Sequence, residues 1–178
     1  MHLDLASLEA GLDEIRRSPV DDGKVELIVR RPAQDERETL QEAYLDITDG
    51  LVGDGWLRGA ADPARQVTVM NARAIALLAR SRERWPLAGD QIFVDLDLSG
   101  RNLPPGTQLA VGSAVLEVTA APHRGCKKFA ARFGLDALRF VNSDEGYALK
   151  LRGINTRVVH TGVVRPGDVV RKLPHDGR

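Results

Sequence analysis

Residues 106–134 read GTQLAVGSAVLEVTAAPHRGCKKFAARFG, and the fold turns on this stretch. Gln108–Val111 and Ala114–Thr119 are two short, strand-like runs on either side of Gly112-Ser113, which predicts a hairpin. A Pro-containing turn follows, Ala121-Pro122-His123-Arg124-Gly125. The chain's only cysteine, Cys126, comes next, in the first turn of a predicted helix near 125–133. Gly134 ends that helix, and Asp136 is the expected N-cap of a second one over 136–142. A hairpin thus feeds through a turn into a short helix that opens on a thiol.

The flanking sequence is built of similarly short pieces. Leu3, Leu5, Leu8, Leu12 and Ile15 recur near helical spacing, so 5–17 is read as an amphipathic helix stopped by Ser18-Pro19. Val25–Val29 reads as a strand after the turn Asp22-Gly23, closed by Pro32. Residues 34–46 are expected to form a second helix, with Glu36, Glu38 and Glu42 on its solvated face. Residues 48–65 form a loop rich in Gly and Asp. A strand over 66–70 leads to Asn71, a fair N-cap for a helix over 72–83, and a strand over 91–98 follows Gly89. After the thiol, 147–151, 156–160, 162–164 and 168–170 all read as strands. Short, Gly-punctuated strands that do not alternate with long helices predict a mostly β barrel with peripheral helices, an α+β fold.

The chain has 178 residues, and 25 Lys and Arg balance 25 Asp and Glu. That balance argues against a nucleic-acid-coating protein but leaves room for a local anion pocket. One cysteine allows no internal disulfide and no four-cysteine zinc site. The N-terminus has no apolar signal-like core, and no run approaches the ~18 apolar residues of a membrane span. A reducing cytoplasm is therefore the expected location. Neither a P-loop nor a dinucleotide-binding glycine motif occurs.

Chemistry points to Cys126. A helix N-terminus favours a thiolate, and Arg124, Lys127 and Lys128 add positive charge nearby. His123 is a candidate proton relay. Such a niche suits a nucleophile, a persulfide carrier or a soft-metal ligand; a small half-buried Cys without chemistry is the plain alternative. Asp90 reads as a turn residue, and Arg152 as either a phosphate ligand or a solvated surface cation.

Taken in order, these residues resemble the MOSC domain, named for the C-terminal part of molybdenum cofactor sulfurase. The resemblance rests on Gly89-Asp90-Gln91-Ile92, on Gly106-Thr107-Gln108-Leu109 through Thr119, on Pro122 to Phe129 around Cys126, and on Gly167-Asp168. Gly50-Leu51-Val52-Gly53-Asp54 is similar to the family's early loop. Three positions depart from the pattern: Gly125 stands where Pro is frequent, Gln91 stands for Asn, and the early loop has Trp56 and no His.

The resemblance implies a MOSC-type β-barrel over 48–171, an N-terminal helix and strand extension over 1–47 and a tail over 172–178. It also implies a molybdenum cofactor, with Cys126 as metal ligand and catalytic residue beside His123. Arg124, Lys128, Asp90, Arg132, Arg152 and Arg157 are the implied cofactor-binding set. The expected activity is reduction of N-hydroxylated small molecules. The alternatives are a persulfide sulfur carrier on Cys126 and a non-catalytic binding module. No pyridoxal phosphate is expected in this chain and it has no flavin, haem or iron–sulfur motif, so a separate electron-donor or sulfur-donor protein is expected.

Overall fold

A computed structural model describes residues 1–175. Seven strands close a barrel in the order β1 (Gly23–Arg30), β6 (Ile92–Asp95), β5 (Val67–Asn71), β9 (Ile154–His160), β8 (Ala114–Val118), β7 (Gln108–Val111) and β11 (Val169–Lys172). Closure comes from β1 pairing with β11, with Gly23 opposite Val170. A two-residue strand β2 (Glu38–Thr39) extends β1, and β3 (Ala43–Asp46), β4 (Gly50–Leu51) and β10 (Gly162–Val164) form a small second sheet. The expected hairpin is present, with Val111 opposite Ala114 across Gly112-Ser113.

Every barrel neighbour is antiparallel except β5 and β6. A parallel pair needs a crossover, and the crossover covers the outer face of the sheet. Here it consists of α3 (Ala72–Ala79) and a 3₁₀ stretch, Arg82–Ala88. Asn71 caps α3 as expected, accepting from the N–H groups of Arg73 and Ala74. Because the crossover hides one face of β1, β5 and β6, their side chains divide between two cores. Val25, Ile28, Val67, Val69, Ile92 and Val94 fill the barrel. Leu27, Val29, Met70 and Phe93 face outward beneath helices. A bulge between Val25 and Leu27 shifts β1 by one residue, which is how Leu27 comes to face out and Ile28 in.

The outer core is completed by α1 (Leu5–Ala10), α2 (Leu12–Arg16), α4 (Lys127–Phe133) and α5 (Leu135–Asn142). Leu8, Leu12 and Ile15 pack in one cluster with Phe133 and Phe140. The N-terminal helices therefore buttress the helices that follow Cys126.

Four expectations change. Residues 34–46 are not helical: β2 and β3 lie there, because Thr39 pairs with Val29 and Tyr44 with Val163. Long-range pairing overrides a helix-like pattern. Residues 147–151 are not a strand: Ser143 caps α6 (Asp144–Ala148), its side chain accepting from the Gly146 N–H. Asp136 does not cap α5; it accepts from the Leu5 N–H and pairs with Arg139. The helix read over 5–17 is broken at Gly11, where a Cβ would lie 2.6 Å from Leu77. The first 47 residues also do more than pack on the barrel, since they supply β1. Of the expected tail, Lys172 belongs to β11, and residues 176–178 lie outside the described residues.

Candidate functional site

The crossover ends on four consecutive backbone carbonyls, each holding a different arginine. Pro86 O accepts from Arg37 Nε at 3.3 Å, and Leu87 O from Arg132 at 2.8 Å. Ala88 O accepts from Arg152 at 2.9 Å, and Gly89 O from Arg31 at 3.0 Å. The end of a helical stretch exposes carbonyls with partial negative charge. This short rack gathers four guanidinium groups that would otherwise repel. Crowding remains: burial first, then the charges of Arg132 and Arg31, push the Arg37 guanidinium below its ordinary value.

These arginines line a cleft of about 720 Å³ with Arg58, Arg65 and Lys128. Only Asp35 and Asp62 answer them with carboxylates along the lining. Arg31 is fixed further by a two-point pair with buried Asp54, at 3.0 and 2.7 Å. Asp54 also accepts from the Trp56 N–H, so the early Gly-Asp loop is tied to the end of β1.

Below the cleft lies Asp90, fully buried. One oxygen meets His123 Nε2 at 2.9 Å, and the other accepts from Arg152. Burial would raise the Asp90 carboxyl; Arg152 and His123 outweigh it and hold the group below the usual carboxylate range. Arg152 also lies under the ring of Phe129, 5.0 Å from its centroid.

Cys126 lines the same cleft and is exposed. It is the N-cap residue of α4, one position before the first helical turn. Its thiol is held below the ordinary value, most of all by the N–H of Phe129. Burial opposes this, while the Lys128 N–H and the charges of Arg152 and Arg132 add to it. The N–H groups that open α4 act on the thiol as expected, while the side-chain charge comes from Arg152 and Arg132 in place of Arg124, Lys127 and Lys128. Cys126 should therefore react with iodoacetamide faster than a free thiol near neutral pH. A pH–rate profile with its inflection at or above the ~8.5 of an ordinary thiol would contradict the niche.

The loop before Cys126 is clamped at several points. The Gly125 N–H donates to the Asn142 side chain at 2.9 Å, and Asn142 donates back to the Gly125 carbonyl at 3.1 Å. Proline has no N–H, so this clamp explains why glycine serves here. Leu138 and Val141 also leave no room for a Cβ at Gly125. Asn155 and Arg65 both donate to the Pro122 carbonyl.

Of the sequence candidates, Cys126, His123, Lys128, Arg132 and Arg152 share the cleft, with Asp90 beneath them. Two stand elsewhere. Arg124 lies over the Tyr147 ring at 4.0 Å, outside the cleft lining. Arg157 projects from the outer face of β9 and pairs with Glu117. Arg31, Arg37, Arg58, Arg65 and Asn142 were not foreseen. The pair Arg30-Arg31 before Pro32 was the available signal for the first, because a strand end often opens on a site.

Comparison with known proteins agrees with the fold. The family model described as MOSC domain matches residues 54–171, and the chain belongs to that family. YuaD from Bacillus subtilis is similar in structure, with TM-score 0.58 and 20% identity over 83% of this chain and 93% of that one. YiiM from Escherichia coli has TM-score 0.58 and 18% identity over 87% of this chain and 72% of its own. These identities speak for the fold alone. A search of curated proteins finds no match.

Proposed function

We propose that this chain binds a molybdenum cofactor in the Cys126 cleft and serves the reduction of N-hydroxylated compounds. One observation carries the reading: an exposed thiol with a lowered pKa lies in a cleft lined by seven cationic side chains. The donor set fits such a group. Among the described residues no three His, Cys, Asp or Glu side chains gather as a bare-ion site. Cys126 is thus a single soft ligand, suited to a metal that arrives with its other ligands. The arginines and Lys128 suit a phosphate-bearing partner. When bound, the cofactor would supply two-electron redox chemistry at the metal.

The chain's own residues have separable tasks. Cys126 holds the metal. Arg31, Arg37, Lys128 and Arg132 bind and orient negative charge. Asp90 fixes the His123 ring through Nε2, leaving Nδ1 to hold or move a proton. Arg152 keeps Asp90 ionised. Reducing equivalents would come from a separate donor protein. Among the described residues no helix is long and apolar enough to cross a membrane, and a cytoplasmic location accords with a free thiol.

The test is metal and pterin content in a host that makes the cofactor. Wild type should carry molybdenum and a fluorescent pterin after oxidation, and Cys126→Ser should lose the metal while folding normally. Neither signal in wild type would sink the reading. The exposure of Cys126 favours a second one, a persulfide carrier fed by a sulfur-donor protein. In that case mass spectrometry would find one added sulfur on the Cys126 peptide. A chain with neither property is a binding module of the same fold.

A further inference from the structure

Trp56 stands where the family's early loop commonly has a histidine nearby, and its surroundings are unlike those of the other tryptophan. Trp85 is buried, with Arg82 over its ring at 4.7 Å and Phe93 at 5.9 Å. Trp56 is half-buried in the cleft lining, and among the described residues no cation or aromatic ring stacks on it. In a cleft crowded with arginine an open indole face would readily take a guanidinium. Instead Arg31, Arg37, Arg132 and Arg152 are held on the Pro86–Gly89 carbonyls, Arg58 on the Pro32 carbonyl and Arg65 on the Pro122 carbonyl.

The indole is also fixed in advance. Its Nε1–H donates to the Asp62 carbonyl at 3.1 Å, and its backbone N–H donates to Asp54 at 3.0 Å. The polar edge is thereby used inside the loop, leaving ring surface for the cleft. The rest of the lining on that loop is small or polar: Gly55, Gly59, Ala60 and Ala61, with Arg58, Asp62 and Arg65. Trp56 is therefore the large apolar surface on this wall, rigid and unpartnered.

We infer that Trp56 is a specificity-determining platform that selects substrates with a planar aromatic ring next to the N-hydroxylated group. The inference rests on the proposed function for the N-hydroxyl part alone. Stacking of this kind is worth roughly a factor of ten in affinity.

Tryptophan fluorescence reads this without turnover, with buried Trp85 as a constant background. Purified protein is titrated with benzamidoxime, cyclohexanecarboxamidoxime and acetamidoxime. Benzamidoxime should quench saturably and bind about tenfold tighter than the saturated ring of equal size. Trp56→Phe, followed by calorimetry, should keep that preference, and Trp56→Leu should lose it with cofactor content unchanged. Equal affinity for the flat and the puckered ring overturns the inference in wild type alone, whatever the variants do. So does a preference that survives in Trp56→Leu. Ring preference without molybdenum or pterin would leave this inference standing and remove the reductase reading. Molybdenum and pterin without ring preference would do the reverse.

Discussion

Gly153→Ala should lower stability by roughly 2–4 kcal/mol, seen as a fall of about 5–15 °C in Tm. Gly153 has φ of +115°, a backbone region open to glycine and hardly to any other residue. A methyl group there would also lie 2.7 Å from the Val69 carbonyl and 3.1 Å from both Asp90 Oδ1 and His123 Cδ2. The carbonyl belongs to a barrel strand and cannot yield cheaply, so the side chains must. Displacing them breaks the Asp90–His123 contact beneath the cleft. A Tm within a degree or two of wild type would show that the backbone can relax, and that Gly153 is no keystone.

Asp90→Asn should cost about 3–5 kcal/mol at pH 7, because it leaves the Arg152 charge buried without a counter-charge. The pH dependence has a definite sign. The Asp90 pKa is lower in the fold than in the unfolded chain, so its contribution is fully present above the ordinary carboxylate value. It is lost as pH falls through the lowered value. The stability gap between wild type and Asp90→Asn, measured by denaturant unfolding, should thus be wide at neutral pH and narrow below about pH 4. Adding Arg152→Met should recover part of the loss, since the stranded charge goes with it. A gap that does not change with pH would mean that folding leaves the Asp90 pKa unshifted, and a gap that shrinks as pH rises would mean that the carboxyl is protonated in the folded protein.

Much of the barrel is readable from local patterns. The hairpin around Gly112-Ser113 and the Asn71 cap depend on neighbouring residues, and both form as the sequence implies. Residues 162–164 read as a strand and form one, whereas 34–46 look helical because the partners there are remote: Tyr44 answers to Val163. Ser143 before Asp144 and Glu145 was a legible cap signal, outweighed by the apolar look of 147–151. At the site, the thiol, the histidine and Asp90 follow from motif order. Arg157 could have been set aside by strand parity, since Thr156 beside it faces the interior. Arg132 and Arg152 lie within or near the motif, but Arg31 and Arg37 could not be found the same way, because the crossover holds them by main-chain oxygens.

Where four cations hang from peptide carbonyls, the residues supplying those carbonyls carry no side-chain signature of the task. Leu87, partly exposed, can drift to many other residues while its oxygen still holds Arg132. An insertion or deletion between Pro86 and Gly89 is another matter, since it re-registers Arg37, Arg132, Arg152 and Arg31 together. Point changes at Leu87 should therefore be nearly silent, unlike changes at buried Ala88 or at Gly89 with its φ of +87°, while a change in the segment's length should remodel ligand preference in one step.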